Sequence, residues 1–162
     1  MRSLKRVLLP SAGIAGVLTF AILARGHAPP DQYLTFGSQA VFIDDPHTHL
    51  TWQRVIDSTP TTQANAVNLC ASNGHRLPTY RELLTIVDED PHDEWDPDSG
   101  TATARHIDPD AFPGTPPAAF WTMSPGFGNN KQKFKVVDFS DGTTTELGVA
   151  SVAYYRCVVD DP

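Results

Sequence analysis

Three groups of residues in this chain have the types and spacings to do chemistry. The first is a pair of cysteines, Cys70 and Cys157, with no third. Two thiols can form a structural disulfide or a reactive pair; they exclude a four-cysteine zinc site and a disulfide-dense miniature fold. The second group is acidic. Nine of the 19 carboxylates fall between Asp88 and Asp110, where Arg105 is the only Lys or Arg. Clustered oxygens suit a hard cation such as calcium, and Asp93, Asp96, Asp98 and Asp108 are the candidate ligands. The run Asp96-Pro97-Asp98-Ser99-Gly100 lacks the closing glutamate of an EF-hand loop, so a solvated acidic loop is the competing reading. The third group is aromatic and basic. Trp95 stands within the acidic stretch, Phe127 stands between Gly126 and Gly128, and Lys131, Lys133 and Lys135 alternate. Exposed loop aromatics stack on sugar rings or anchor a protein partner. Alternation puts the three lysines on one side of a strand, where they either meet an anionic ligand or deter edge-to-edge pairing.

Other chemistries find no support. His47, His49, His75, His92 and His106 form no H-x₃-H pair for zinc. No nucleophile elbow, H-E-x-x-H helix or Gly-rich phosphate loop is present, so catalysis is not expected. The formal charge is -7, but four of the 12 basic residues (Arg2, Lys5, Arg6 and Arg25) precede the first acid, Asp31. The rest of the chain therefore sets 8 basic against 19 acidic residues. That balance excludes nucleic acid, whose phosphates need clustered Lys or Arg, and docking on anionic lipid.

The elements that must position these groups follow from pattern. Residues 1–28 read as a signal peptide or an N-terminal membrane anchor: basic residues precede an uncharged apolar run, Val7 to Leu23, with small Ala24 or Ala28 at the cut. Either places the remainder in the periplasm, at the cell surface or outside the cell. Residues 29–39 form a short linker from which Tyr33, Leu34 and Phe36 can pack back, and 40–162 form one domain. Strand signals at 40–43 and 50–55 flank Asp44-Asp45-Pro46-His47-Thr48 and predict a hairpin with Leu50 and Trp52 inward. A helix is predicted at 62–73, with Ala66, Leu69 and Cys70 on one face. A second is predicted at 79–88, opened by the capping box Thr79–Glu82. Proline-rich residues 88–118 predict irregular structure. Strands are expected at 119–124, 133–139, 143–147 and 152–159. In the second of these, Phe134 and Val136 face one side, and Val137 and Phe139 the other. Helices segregated from antiparallel strands mean an α+β fold.

Thr48-His49-Leu50-Thr51-Trp52-Gln53-Arg54, Ala66 to Cys70, His75-Arg76-Leu77-Pro78-Thr79 with Glu82-Leu83, Ile107-Asp108 with Phe112-Pro113-Gly114-Thr115, Phe120-Trp121-Thr122, Val136 to Gly142 and Tyr155-Arg156-Cys157-Val158 stand in that order. Together they resemble the bacterial Lcl C-terminal domain family, over roughly residues 40 to 159. The resemblance implies a C-type lectin-like fold: two helices on small antiparallel sheets, with N- and C-terminal strands brought together. It makes Trp52, Arg76, Pro78, Glu82, Trp121, Asp138 and Arg156 structural motif residues. Two cysteines outside the cytoplasm are expected to pair, and the resemblance implies the same tie between first helix and last strand. His49 replaces the family's usual Gly, Gln63 its frequent Trp, and the acidic stretch is longer than usual. The carbohydrate-calcium triplets of true C-type lectins are absent. The family takes its name from the end domain of a collagen-like surface adhesin reported to bind sulfated polysaccharide. The expected function is non-catalytic recognition of a glycan or cell-surface protein, with calcium the one possible cofactor. A structural envelope protein without a ligand is the alternative. An oxidase of the formylglycine-generating kind is a third, disfavoured because its cysteines lie close together in sequence.

Overall fold

The computed structural model describes residues 28, 31–34, 41–56, 59–96, 100–129 and 132–160. The leader and Phe36 lie outside the described residues, except for Ala28. Among those described, no helix is long and apolar enough to cross a membrane.

The first strands, β1 (Phe42–Asp45) and β2 (Leu50–Gln53), form the expected hairpin, with Trp52 opposite Ile43 and Leu50 opposite Asp45. Its turn needs a left-handed residue, and His49 takes φ 56° there. That region favours glycine, though His adopts it more readily than most residues. Helix α1 (Gln63–Ser72) and the short α2 (Tyr80–Leu84) follow. Then come β3 (His92–Asp96), β4 (Thr101–Arg105), β5 (Ala119–Pro125), β6 (Lys133–Asp138), β7 (Thr144–Gly148) and β8 (Val158–Asp160). They make three small antiparallel sheets, ordered β1-β2-β8, β3-β4 and β5-β6-β7. The fold is α+β, and β8 lies directly beside the N-terminal hairpin.

The strands divide the interior into two cores. Along β5 and β6, Phe120, Val137 and nearby Phe139 enter one cluster, with Trp52, Leu83, Ile107 and Phe112. Trp121 and Val136 enter the other, with Ala66, Cys70 and Leu77. Residues 153–158 alternate in the same way: Tyr154 and Val158 join the first cluster, Ala153, Tyr155 and Cys157 the second. Both faces of these segments are covered over Phe120–Trp121 and Val136–Val137, where apolar residues stand side by side rather than alternating with polar ones. Trp52 and Trp121 are fully buried. Each indole hides roughly 150–250 Å², about 4–6 kcal/mol at ~25 cal/mol/Å².

Several boundaries differ from expectation. The second helix stops at Leu84 rather than 88, because the Asp88 N–H leaves to donate to the His106 carbonyl (3.0 Å). Ile86 still reaches the core. Residues 88–118 are not all irregular: β3 fits between Pro91 and Pro97, and the alternating Thr101-Ala102-Thr103-Ala104 pairs with it through a turn at Gly100, φ 66°. In α1 the buried face is Gln63, Ala66 and Cys70; Leu69 is 38% exposed. The expected strand at 152–159 contracts to β8, because its first half changes partners, bridging Ala153 to Thr61 and Tyr154 to Phe120.

Two adjacent residues tie the cores to the rest. Cys157 is bonded to Cys70 across 87 residues, with Cα atoms 5.5 Å apart, inside the usual disulfide range. Arg156 points the other way and is fully buried. Its guanidinium donates to the Gln53 carbonyl, to the Arg54 carbonyl (2.9 Å) and to Thr115 Oγ1 (2.6 Å), and lies 4.6 Å from the Phe112 ring centroid. Among the described residues no carboxylate pairs with it. Burial pushes its pKa down to about 9, still above neutrality, so the charge is kept.

Replacing Arg156 with Met leaves two carbonyls and a hydroxyl without their donor. At about 1–3 kcal/mol for each orphaned group, urea unfolding of Arg156→Met should lose on the order of 3 kcal/mol or more. The Cys70→Ser/Cys157→Ser variant should lose about 2–5 kcal/mol. An unchanged urea midpoint would show that the bond is of no structural consequence.

Candidate functional site

The segment His75 to Glu82 organises the ground on which the site stands. Arg76 bridges to Val158 by backbone, and its guanidinium grips Glu82 with two bonds (2.8 and 3.0 Å) and Asp160 with two more. Leu77 enters the core, and the Pro78 carbonyl accepts from the Met123 N–H (2.8 Å). Thr79 then caps α2: its hydroxyl accepts from the Glu82 N–H (3.2 Å), and Glu82 accepts from the Thr79 N–H (2.7 Å). Burial pushes the Glu82 carboxyl up, but the hydrogen bonds from Arg76 and Thr79 outweigh it and hold the pKa below its usual value. Arg76 lowers that of Asp160 in the same way, and its own is raised by both carboxylates.

This docking sets Tyr80 beside the end of β5, where its N–H donates to Ser124 Oγ (3.1 Å). Lys135 of β6 lies alongside, its Nζ 3.9 Å from the Tyr80 ring centroid and 5.0 Å from that of Phe127. Phe127 is carried on the single turn Phe127–Asn129, closed by Gly128 at φ 67°. Its N–H donates to Glu146 Oε1 (2.5 Å), and Gly126 lies so close that a Cβ there would stand 3.1 Å from that carboxylate. The ring is 80% exposed, and Met123 beside Ser124 is 47% exposed. Arg81 completes the group: its Nε donates to the Tyr80 hydroxyl (3.2 Å). That bond, the Arg81 charge and Lys135 lower the Tyr80 pKa. The result is a cation flanked by two rings, with a second cation on the outer edge of one of them. Such contacts contribute ~0.5–1 kcal/mol at exposed sites and hold the ammonium in place.

The residues singled out from sequence divide accordingly. Phe127 and Lys135 meet, and Lys133 is exposed on the same strand. Lys131 lies outside the described residues. Trp95 sits in β3 opposite Ala102, but its side chain, like that of Asp96, lies outside the described residues, as does Asp98 altogether. Asp93 is exposed in β3. Asp108 is buried and accepts the backbone N–H groups of Asp110 (2.8 Å), Ala111 (3.1 Å) and Ala28 (3.2 Å). Among the described residues, no three His, Cys, Asp or Glu side chains converge as metal ligands. His92 and His106 both turn to Asp88, to its carboxylate (2.8 Å) and its carbonyl (2.9 Å). Of the motif residues, Trp52 is core, Trp121 Nε1 donates to the Thr61 carbonyl (2.7 Å), and Asp138 accepts from Ser140 at the end of β6. Sequence reasoning missed Tyr80, Arg81 and Met123. Tyr80 stands three residues before Leu83, on the stripe that reads as core.

The Arg76 clasp predicts acid sensitivity. Glu82 and Asp160 have folded pKa values below their ordinary ones, so they stabilise the fold above the ordinary carboxylate range, about 4. That contribution is lost as pH falls through the depressed values. The melting temperature should therefore drop below about pH 4, and the drop should be shallower in Arg76→Gln; identical profiles would refute the assignment.

A concavity of about 540 Å³ lies beside the disulfide, lined by Val41, Phe42, Leu69, His75 and Tyr155 among others; among the described residues no Lys, Arg, Asp or Glu lines it. The family model described as the Lcl C-terminal domain matches residues 41–159. That stretch holds both cores, the disulfide and the patch. No curated protein matches the chain. No solved structure matches it either. The order of motifs along the chain and the match over most of its length agree: the chain belongs to the Lcl C-terminal domain family.

Proposed function

We propose that this protein is an exported, non-catalytic recognition module of C-type lectin-like fold that binds a glycan or a protein ligand through the patch of Tyr80, Phe127 and Lys135. The observation that carries this reading is the exposure of Phe127, at 80%, beside a lysine held against its ring. An exposed ring of that size on a turn anchored by Glu146 has little to do for folding. It offers a flat apolar face, and the adjacent ammonium adds selection for anionic groups. The disulfide supports export, since such bonds persist in oxidising compartments. No cofactor is required by this reading.

A glycan array with a parallel screen of cell-surface proteins, run with and without calcium, tests it. The parent chain should capture ligands that Phe127→Ala and Lys135→Ala lose by about tenfold, the scale of one 1.4 kcal/mol contact, while circular dichroism shows both variants folded at the assay temperature. Undiminished capture by both variants would move the site elsewhere; no capture by the parent would favour a structural envelope role.

A further inference from the structure

The concavity beside the disulfide is framed by residues that hang from its two cysteines. The backbone N–H groups of Asn73 (3.1 Å) and His75 (3.0 Å) both donate to the Cys70 carbonyl. On the other side, the Gln53 N–H donates to the Cys157 carbonyl (2.9 Å), and the Cys157 N–H donates to Gln53 Oε1 (3.0 Å). Phe42 stands opposite Gln53 in the β1–β2 register, with its ring centroid 4.8 Å from that of His75. The Cys70–Cys157 bond thus joins the two halves of the wall, and Phe42, Gln53, Asn73 and His75 all line the cavity.

These bonds also fix which way each amide is turned. A carboxamide carries an acceptor oxygen and a donor NH₂. The Cys157 N–H needs an acceptor, so Gln53 gives it the oxygen and keeps its NH₂ to donate. Asn73 is turned the other way: its Nδ2 donates to the Leu69 carbonyl (3.1 Å), and its oxygen is kept to accept. Among the described residues, neither the Gln53 NH₂ nor the Asn73 Oδ1 has a hydrogen-bond partner. One donor and one acceptor of set polarity therefore border a cavity of about 540 Å³, a volume within the usual range of small-molecule sites. Phe42, 36% exposed, adds an aromatic surface. Arg76, next to His75 in the chain, is turned to Glu82 and Asp160.

This lining selects by chemistry. An ionic ligand would meet no opposite Lys, Arg, Asp or Glu among the described lining residues. A wholly apolar ligand would cover the Gln53 NH₂ and the Asn73 oxygen and leave both without a partner, which is costly. A sugar ring meets every demand: its hydroxyls both donate and accept, its C–H face packs on an aromatic ring, and it carries no charge. We propose that this groove is a binding site for an uncharged glycan, in which Gln53 and Asn73 hold hydroxyl groups and Phe42 takes a face of the sugar. It shares no residue with the patch of Tyr80, Phe127 and Lys135, so the two sites stand or fall separately.

The full-length chain labelled with ¹⁵N is titrated with maltotriose, cellotriose, mannotriose and triacetylchitotriose, each to ~10 mM, enough to reveal a millimolar site by nuclear magnetic resonance. At least one of these uncharged probes should shift the side-chain amide signals of Gln53 and Asn73 and the backbone amide signal of His75. The shifts should be equal at ~0.1 M and ~1 M salt, because salt screens only charges. Gln53→Glu keeps an oxygen for the Cys157 N–H but loses the donor. That variant and Phe42→Ala should each bind about tenfold more weakly, with circular dichroism showing both folded. Phe127→Ala/Lys135→Ala should bind as the parent does, which separates this site from the patch. The proposal is overturned if none of the probes moves these signals, if ~1 M salt weakens the binding, if Gln53→Glu and Phe42→Ala bind undiminished, or if Phe127→Ala/Lys135→Ala abolishes it.

Discussion

A single buried positive charge, held by carbonyls rather than by a carboxylate, fixes how the pieces of this fold meet. Arg156 reaches Gln53 and Arg54 at the exit of β2, Thr115 in the loop before β5, and the ring of Phe112. Its own segment runs into β8. One side chain thus joins the N-terminal hairpin, the central loop and the C-terminal strand. Burying a guanidinium is costly, and three acceptors with a ring beneath it are the compensation. Lysine could not replace it, because an ammonium lacks the planar fork that reaches acceptors in different directions. The neighbouring Cys157 faces the opposite core and fastens α1. Alternation at two consecutive residues therefore secures both interiors.

Much of this was legible in the sequence. The capping box at Thr79, the inward Trp52, the opposed faces of β6 and the Cys70–Cys157 bond all follow from local rules or from the family resemblance. What escaped was set by tertiary partners. Leu69 has the helical spacing of a core residue, yet the strand to which Cys70 is bonded turns it toward the groove beside Phe42. The ribbon β3–β4 lay hidden because β3 is acidic and flanked by Pro91 and Pro97, whereas pairing needs only extended backbone. Half of the patch was visible, since a phenylalanine between glycines and alternating lysines are local signals. Tyr80 was not, because its ring joins the patch only once Pro78 and Met123 dock α2 on β5.

The placement of the patch follows from the same constraints that build the core. The Arg76 clasp and the capping box hold α2 against the sheet, and the end of that helix nearest β5 presents Tyr80 beside Lys135. The position of the patch is thus an outcome of fold-defining bonds. It stands on a helix, a strand and a short turn braced by Glu146 rather than on a long loop, which gives it the rigidity that selective contacts need.

The dual allegiance of residues 153–158 also bears on how the chain acquires its structure in time. The hydrogen-bonded contacts between residues 53–54 and 156–157 span more than 100 positions. Neither interior can close until this late segment arrives. Until then β2 lacks its neighbour β8, and Leu50, Trp52 and the outer edge of that strand stay open to wrong pairing. Contacts of such long reach make for slow folding, in milliseconds to seconds rather than microseconds. A chain emerging N-terminus first therefore passes through an interval in which its hairpin, helices and central sheet exist as parts without a shared wall. Vulnerability to aggregation and proteolysis is concentrated in that interval, and it ends when the last strand inserts.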